Sequence, residues 1–187
     1  QPLVRASYDD PLTTFETNVM GSVNLLDAVR NTVSVRSLVY ITSDKCYENV
    51  DWIWGYREND RLGGRDPYSG SKGAAELIYS SFERSYFQNV RHLGTATVRA
   101  GNVIGGGDWA QDRIIPDCIR AIELDKPLEI RNPMATRPWQ HVLEPLSGYL
   151  LLAECLYKSS KKFSGAWNFG PKTDEIRNVR DVAKEIH

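Results

Sequence analysis

Val35-Arg36-Ser37-Leu38-Val39-Tyr40-Ile41-Thr42 is rich in β-branched and aromatic residues and reads as a strand, and its carboxyl end delivers Ser43-Asp44-Lys45. Trp52 to Asp66, a polar stretch bearing Gly and Asp, reads as a loop. It leads into Pro67-Tyr68-Ser69-Gly70-Ser71-Lys72, where proline at the first helical position favours a helix to about Phe87. Upstream, Phe15, Val19, Val23, Leu26 and Val29 recur every three to four residues and predict a helix from about Pro11 to Arg30 with one buried face. Downstream, Gly94 to Ala100 reads as a strand, Gly101 to Asp112 as a glycine-rich loop, Pro116 to Leu124 as a helix and Leu128 to Arg131 as a short strand. Pro145 to Tyr157 reads as an apolar helix, and Ala166 to Gly170 as a last strand before a terminal helix at Val179 to Ile186. Alternating helix and strand predicts an α/β fold with a mainly parallel sheet. Ligands lie at the carboxyl ends of strands in such a sheet, where Ser43 and the Asn102 loop both fall.

A length of 187 residues suffices for one domain with a sizeable core, and 41% hydrophobic with 25% charged residues excludes wholesale disorder. A net charge of −1 gives no footing for nucleic acid or a membrane surface, and no apolar run reaches the length of a span. Cys46, Cys118 and Cys155 are odd in number and lack C-x-x-C spacing, which argues against a disulfide framework or zinc site and for a reducing, cytoplasmic compartment. No His, Cys and carboxylate cluster has metal-ligand spacing. The chain opens on Gln1-Pro2-Leu3 without methionine and stops inside a helical pattern. It therefore reads as a piece of a longer protein.

Tyr68 and Lys72 stand at i and i+4, so they share one helix face, where an ammonium favours the phenolate form of its neighbour. A phenolate of lowered pKa can take a proton from a hydroxyl, and Ser43 can hydrogen-bond that hydroxyl from the strand end. The two-residue pattern alone recurs by accident, but the serine-bearing strand upstream makes a proton shuttle the better reading.

Ser43 with Tyr68 and Lys72, Asn18 within Asn18-Val19-Met20-Gly21-Ser22, and Val98-Arg99-Ala100-Gly101-Asn102 resemble the extended short-chain dehydrogenase/reductase family. Ser43-Asp44-Lys45 resembles the polar triplet of its nucleotide-sugar 4,6-dehydratases, where glutamate usually stands third. A lysine there, with Trp52-Ile53-Trp54-Gly55-Tyr56-Arg57-Glu58-Asn59, Gly105-Gly106-Gly107-Asp108-Trp109 and Ala135-Thr136-Arg137-Pro138-Trp139-Gln140-His141, resembles the subgroup that acts on CDP-glucose. The resemblance implies a partial doubly wound, Rossmann-like sheet without its N-terminal dinucleotide-binding half. Residues 1–110 would carry the catalytic groups, and 111–187 would be mostly a small substrate-binding part.

It further implies NAD as cofactor and a nucleotide-linked glucose as substrate, oxidised at C4, dehydrated across C5 and C6, then reduced at C6. Ser43, Asp44, Lys45, Tyr68 and Lys72 would be catalytic. Gln1 and Ala100 would join Ser43, Tyr68 and Lys72 around the cofactor. Asn102, Arg113, Arg137 and Asn18 would serve the substrate side, with Arg137 on the diphosphate. Asp44 would protonate the leaving hydroxyl, and Lys45 would be either the C5 base or a cation that stabilises the enolate. Relatives imply a homo-oligomer, a dimer or tetramer. The glycine fingerprint that clamps a dinucleotide is not among these residues, since Gly105-Gly106-Gly107 opens no helix, so this stretch alone is expected to bind NAD poorly and to be inactive.

Other readings compete. A 4-epimerase or decarboxylase of the same family needs the tyrosine and lysine but not Asp44 and Lys45. Ser69-x-x-Lys72, Ser43-Asp44-Lys45 and Lys172-Thr173-Asp174 loosely echo serine–lysine acyl-transfer enzymes, though in the wrong order. A binding remnant without catalysis is the third.

Overall fold

The computed structural model describes residues 1–186. They form two compact units that interleave along the chain, residues 1–100 with 147–169, and residues 101–146 with those from 170 onward. A single boundary near residue 110 does not describe this partition, because a late strand returns to the first sheet.

The first unit begins with a short helix α1 (Val4–Asp9), which no periodicity announces. Helical backbone then runs from Pro11 to Arg30 as α2 (Pro11–Phe15), a wide π turn (Glu16–Met20) and α3 (Gly21–Arg30). Strand β1 (Ser37–Ile41) is followed by a 3-10 turn at Asp44–Cys46, then by helix α4 (Pro67–Phe82), which continues through a second π turn (Glu83–Phe87). Strand β2 (Gly94–Ala100) lies parallel to β1, pairing Ser37 with Gly94 through Ile41 with Val98. On its other side β2 pairs in parallel with β6 (Gly165–Phe169), Ala96 opposite Gly165 and Ala100 opposite Phe169.

Apolar side chains fill both faces of this sheet. Leu26, Val29, Tyr40, Ala75, Tyr79, Phe87 and Leu93 make one buried cluster from α3, β1, α4 and their flanks. Ala96 and Val98 of β2 make the other with Leu152 and Leu156 of α6 (Leu143–Lys158). Alternation along β2 explains the split, since Ala96 and Val98 point one way while Thr95, Thr97 and Arg99 point the other. Helices on both faces of a parallel sheet make the doubly wound arrangement expected from the sequence.

In the second unit, β3 (Val103–Ile104) pairs in parallel with β5 (Gln140–His141), and β4 (Thr136–Arg137) pairs antiparallel with β7 (Arg177–Asn178). Helix α5 (Ile114–Glu123) packs with α7 (Val179–Ile186). Leu128 to Arg131 forms no strand, contrary to expectation. Two-residue strands carry too little side-chain pattern to be read from sequence, and an apolar run becomes a strand only where a partner edge accepts its hydrogen bonds.

Candidate active site

The carboxyl end of β1 is where the candidate site is built. Ser43, extended at φ −172° and ψ 156°, caps the 3-10 turn, its Oγ accepting from Lys45 N at 3.2 Å and donating to Asp44 Oδ1 at 3.1 Å. Lys45 Nζ lies 3.7 Å from Asp44 Oδ2, and the two side chains are 41% and 31% exposed. Ser43, Asp44 and Lys45 thus share one tight turn, each in reach of its neighbour and none closed off from solvent. Next to them Cys46 is buried, and desolvation pushes its thiol up to about 12, which keeps it protonated and inert near neutrality.

Tyr68 and Lys72 come from the first turns of α4. Asp66 caps that helix, accepting from Ser69 N at 2.9 Å and from Ser69 Oγ at 2.7 Å. Ser69 is thereby spent on the cap, which accounts for it without any acyl-transfer role. Ser7 Oγ of α1 accepts from Tyr68 N at 3.1 Å, so a helix absent from the sequence reading satisfies another free amide of the first turn. Tyr68 is buried, and the Lys72 ammonium lies 5.9 Å from its ring centroid. Burial holds the Lys72 pKa below the ordinary lysine value.

The π turn of Glu16–Met20 sets Asn18 against this helix. Asn18 Nδ2 donates to the Gln1 carbonyl at 3.0 Å and to Ser71 Oγ at 2.9 Å, and Ser71 Oγ in turn donates to the Tyr68 carbonyl at 2.7 Å. Gln1 Nε2 donates to Thr14 Oγ1 at 2.8 Å. The Asn18 amide is therefore engaged in tying Gln1 and the Tyr68–Lys72 turn together. A wide helical turn at such a residue is a frequent mark of a functional position.

Glycines let α4 come close to the turn. A side-chain carbon at Gly73 would sit 3.3 Å from the Cys46 carbonyl oxygen and from Gly63 N. One at Gly64 would overlap the backbone of Ser69. Ala100 ends β2 beside Phe169 of β6.

In the second unit, the Asn102 carbonyl accepts from Gln140 N at 3.0 Å, as part of the short β3–β5 ladder. Arg113, just before α5, has its Nε 3.6 Å from Asp108 Oδ2. Arg137 Nη1 donates to the Thr136 carbonyl at 2.8 Å. His141 Nδ1 accepts from Leu143 N at 3.3 Å and so serves the backbone. Among the described residues no cluster of His, Cys, Asp or Glu could hold a metal ion, and no helix is long and apolar enough to cross a membrane.

Sequence reasoning missed the polar groups beneath the turn. Glu76, on α4 one turn past Lys72, and Arg99 of β2 form a buried two-pronged ion pair, Nε to Oε1 at 2.9 Å and Nη2 to Oε2 at 2.7 Å. Arg99 Nη1 also donates to Tyr47 Oη at 2.7 Å and to the Glu58 carbonyl at 2.8 Å. The only available signal was the i, i+4, i+8 spacing of Tyr68, Lys72 and Glu76.

A doubly wound sheet with a tyrosine–lysine pair beside a serine-bearing strand end defines a protein of short-chain dehydrogenase/reductase type. Residues 1–167 match the model of the NAD dependent epimerase/dehydratase family, and the chain belongs to that family. It is 53% identical over 190 aligned positions to a CDP-glucose 4,6-dehydratase of Salmonella typhimurium, an alignment covering 100% of this chain and 53% of that protein. It is 30% identical to a CDP-paratose 2-epimerase of Salmonella typhi, over 91% of this chain and 55% of that one. The solved structure of the UDP-glucose 4-epimerase of Thermus thermophilus, a complex with NAD, superposes with a TM-score of 0.78 at 25% identity, covering 100% of this chain and 58% of that chain. The chain spans about half the length of the curated relatives it matches.

Proposed function

We propose that this chain carries the catalytic groups of an NAD-dependent CDP-glucose 4,6-dehydratase, which converts CDP-glucose to CDP-4-keto-6-deoxyglucose. The observation that carries the reading is the Ser43–Lys45 turn. It holds an acid and an amine 3.7 Å apart at the end of β1, a pair that a 4-epimerase, which only moves hydride and proton at C4, has no use for. Identity of 53% along the whole chain to a relative of that activity supports it.

Lys72, a cation half withdrawn from water, and the hydroxyls of Tyr68 and Ser43 are a donor set suited to a nicotinamide riboside, with Gln1 and Ala100 flanking it. When bound, NAD would supply a hydride acceptor for C4 and a hydride donor for C6. Tyr68 would take the C4 hydroxyl proton while Ser43 orients that hydroxyl, and Lys72 would favour the phenolate that does so. The resulting ketone acidifies the C5 proton. The ion pair of Asp44 and Lys45 is the resting form of the elimination machinery. Desolvated beneath a bound substrate, where the charged forms are disfavoured, the pair would pass one proton from ammonium to carboxylate and become a neutral acid and a neutral amine. Asp44 then protonates the departing C6 hydroxyl, Lys45 takes the C5 proton, and loss of water restores the ion pair with all protons accounted for. In this way a lysine can stand where glutamate is usual. Arg137, with Arg113 and Asn102, would hold the diphosphate and its sugar, a guanidinium being matched to phosphate oxygens. Asn18, from the π turn of Glu16–Met20, would be a positioning residue that acts on α4 through Ser71. From three cysteines, odd in number and without C-x-x-C spacing, we infer a cytoplasmic setting, and we infer a homo-oligomer, a dimer or tetramer, to which the exposed Leu12 and Leu77 would contribute.

The full-length protein that carries this sequence, given CDP-, dTDP-, GDP- and UDP-glucose with NAD, should yield a 4-keto-6-deoxy product fastest from CDP-glucose. A C4 epimer as the sole product would refute the proposal.

A further inference from the structure

Thr42 and Tyr47 bracket the turn that bears Ser43, Asp44 and Lys45, and both are held from below by one ion pair. Thr42 Oγ1 donates to Glu76 Oε1, at the acidic end of the pair. Tyr47 Oη accepts from Arg99 Nη1 at 2.7 Å, at the basic end, and its hydroxyl donates to Asn168 Oδ1 at 2.7 Å. The Arg99 guanidinium also lies 4.9 Å from the Tyr47 ring centroid. Glu76 and Arg99 are only 3% and 4% exposed. Every prong of the pair is therefore engaged, and its contacts to Thr42 and Tyr47 fall on either side of the same short turn.

Such a pair is a poor means of gaining stability. Apolar residues of similar volume commonly replace buried ion pairs at no loss, because desolvation offsets the attraction. What the pair supplies is direction, since a two-pronged guanidinium–carboxylate contact admits one relative orientation. Glu76 stands on the helix face that carries Tyr68 and Lys72, so the contact also fixes that helix to the turn. Arg99 reaches the Glu58 carbonyl, and Asn168 N and Nδ2 donate to Glu58 Oε1 and the Tyr56 carbonyl, both at 2.9 Å, so the loop after Tyr47 is held by the same groups.

We propose that Glu76 and Arg99 are positioning residues, a brace that sets the Ser43-Asp44-Lys45 turn against Tyr68 and Lys72 by gripping Thr42 and Tyr47 at its two ends. Its catalytic consequence rests on the dehydratase reading above. Displacement of a reacting group by an ångström costs up to about a hundredfold in rate, which a slack turn would incur.

The test uses Thr42→Val and Tyr47→Phe in the full-length protein, each of which deletes one hydroxyl and leaves the ion pair in place. Hydrogen exchange of the amides of residues 43–47 should quicken by about tenfold in both, while α3 and the rest of β2 keep their protection. With CDP-glucose, kcat should fall about tenfold and KM should move by less than about twofold, the pattern of a misplaced catalytic group rather than of lost substrate binding. Unchanged exchange at 43–47, a change confined to KM, or an unaltered kcat despite the loosened turn overturns the brace. Should the unaltered protein turn over no nucleotide sugar, the dehydratase reading falls by itself, and the exchange measurement still decides for or against the brace.

Discussion

The turn at the end of β1 and the arginines of the second unit are both polar, and they are held in opposite ways. Beneath the turn, Glu76, Arg99, Tyr47 and Thr42 are buried and saturate one another. Arg113 and Arg137 are half-buried and make single, local contacts, to Asp108 and to the neighbouring Thr136 carbonyl. Groups that move protons must be placed to fractions of an ångström before substrate arrives, and buried networks do that. On the reading proposed above, Arg113 and Arg137 would neutralise a diphosphate as charges, and such groups can be ordered by the ligand itself.

The sharpest way to break this contrast is Tyr68→Phe. On the reading proposed above, in which Tyr68 accepts the C4 hydroxyl proton, its loss should lower kcat by about a thousandfold or more with little change in melting temperature, read by product assay and calorimetry. Arg99→Met should act on stability as well as on kcat, costing about 3–5 kcal/mol in denaturant unfolding, because it strands the Glu76 carboxylate in the interior and removes the brace.

Lys72→Met should separate the two properties, losing about a hundredfold in kcat while stability near neutrality holds or rises. The sign follows from burial. The folded pKa of Lys72 lies below the unfolded one, so between the two the unfolded chain binds more protons, and stability climbs as pH rises through the lowered titration toward the free-lysine value near about 10.4. That climb should be missing in the methionine variant, by unfolding at stepped pH. Smallest is Arg137→Ala, which should raise KM for the nucleotide sugar by about tenfold and leave both kcat and stability near their original values if, as proposed, Arg137 is ordered by the ligand and contributes to binding alone.

Much of the turn was legible because its information is local. Pro67 and the Tyr68–Lys72 spacing fall on a helix whose start is signalled by its own residues, and the β-branched run before Ser43 needs no distant partner to be read. The brace was not legible, because Glu76 and Arg99 lie 23 positions apart and meet only when β2 docks on α4. Val98-Arg99-Ala100 reads on its own as a strand with one stray charge. Leu128 to Arg131 failed for the converse reason, a short stretch that finds no strand edge to join. The Asn18 turn lay between. Its helix followed from Phe15, Val23 and Leu26, but the widened turn that aims its amide at Ser71 is a property of the packed pair of helices.

CDP-glucose carrying deuterium at C4, given to the full-length protein in ordinary water, tests the central claim most directly. The account predicts a 4-keto-6-deoxy product in which the deuterium has moved to C6 and C5 has taken its hydrogen from solvent. Deuterium retained at C4 of an epimerised sugar would contradict it.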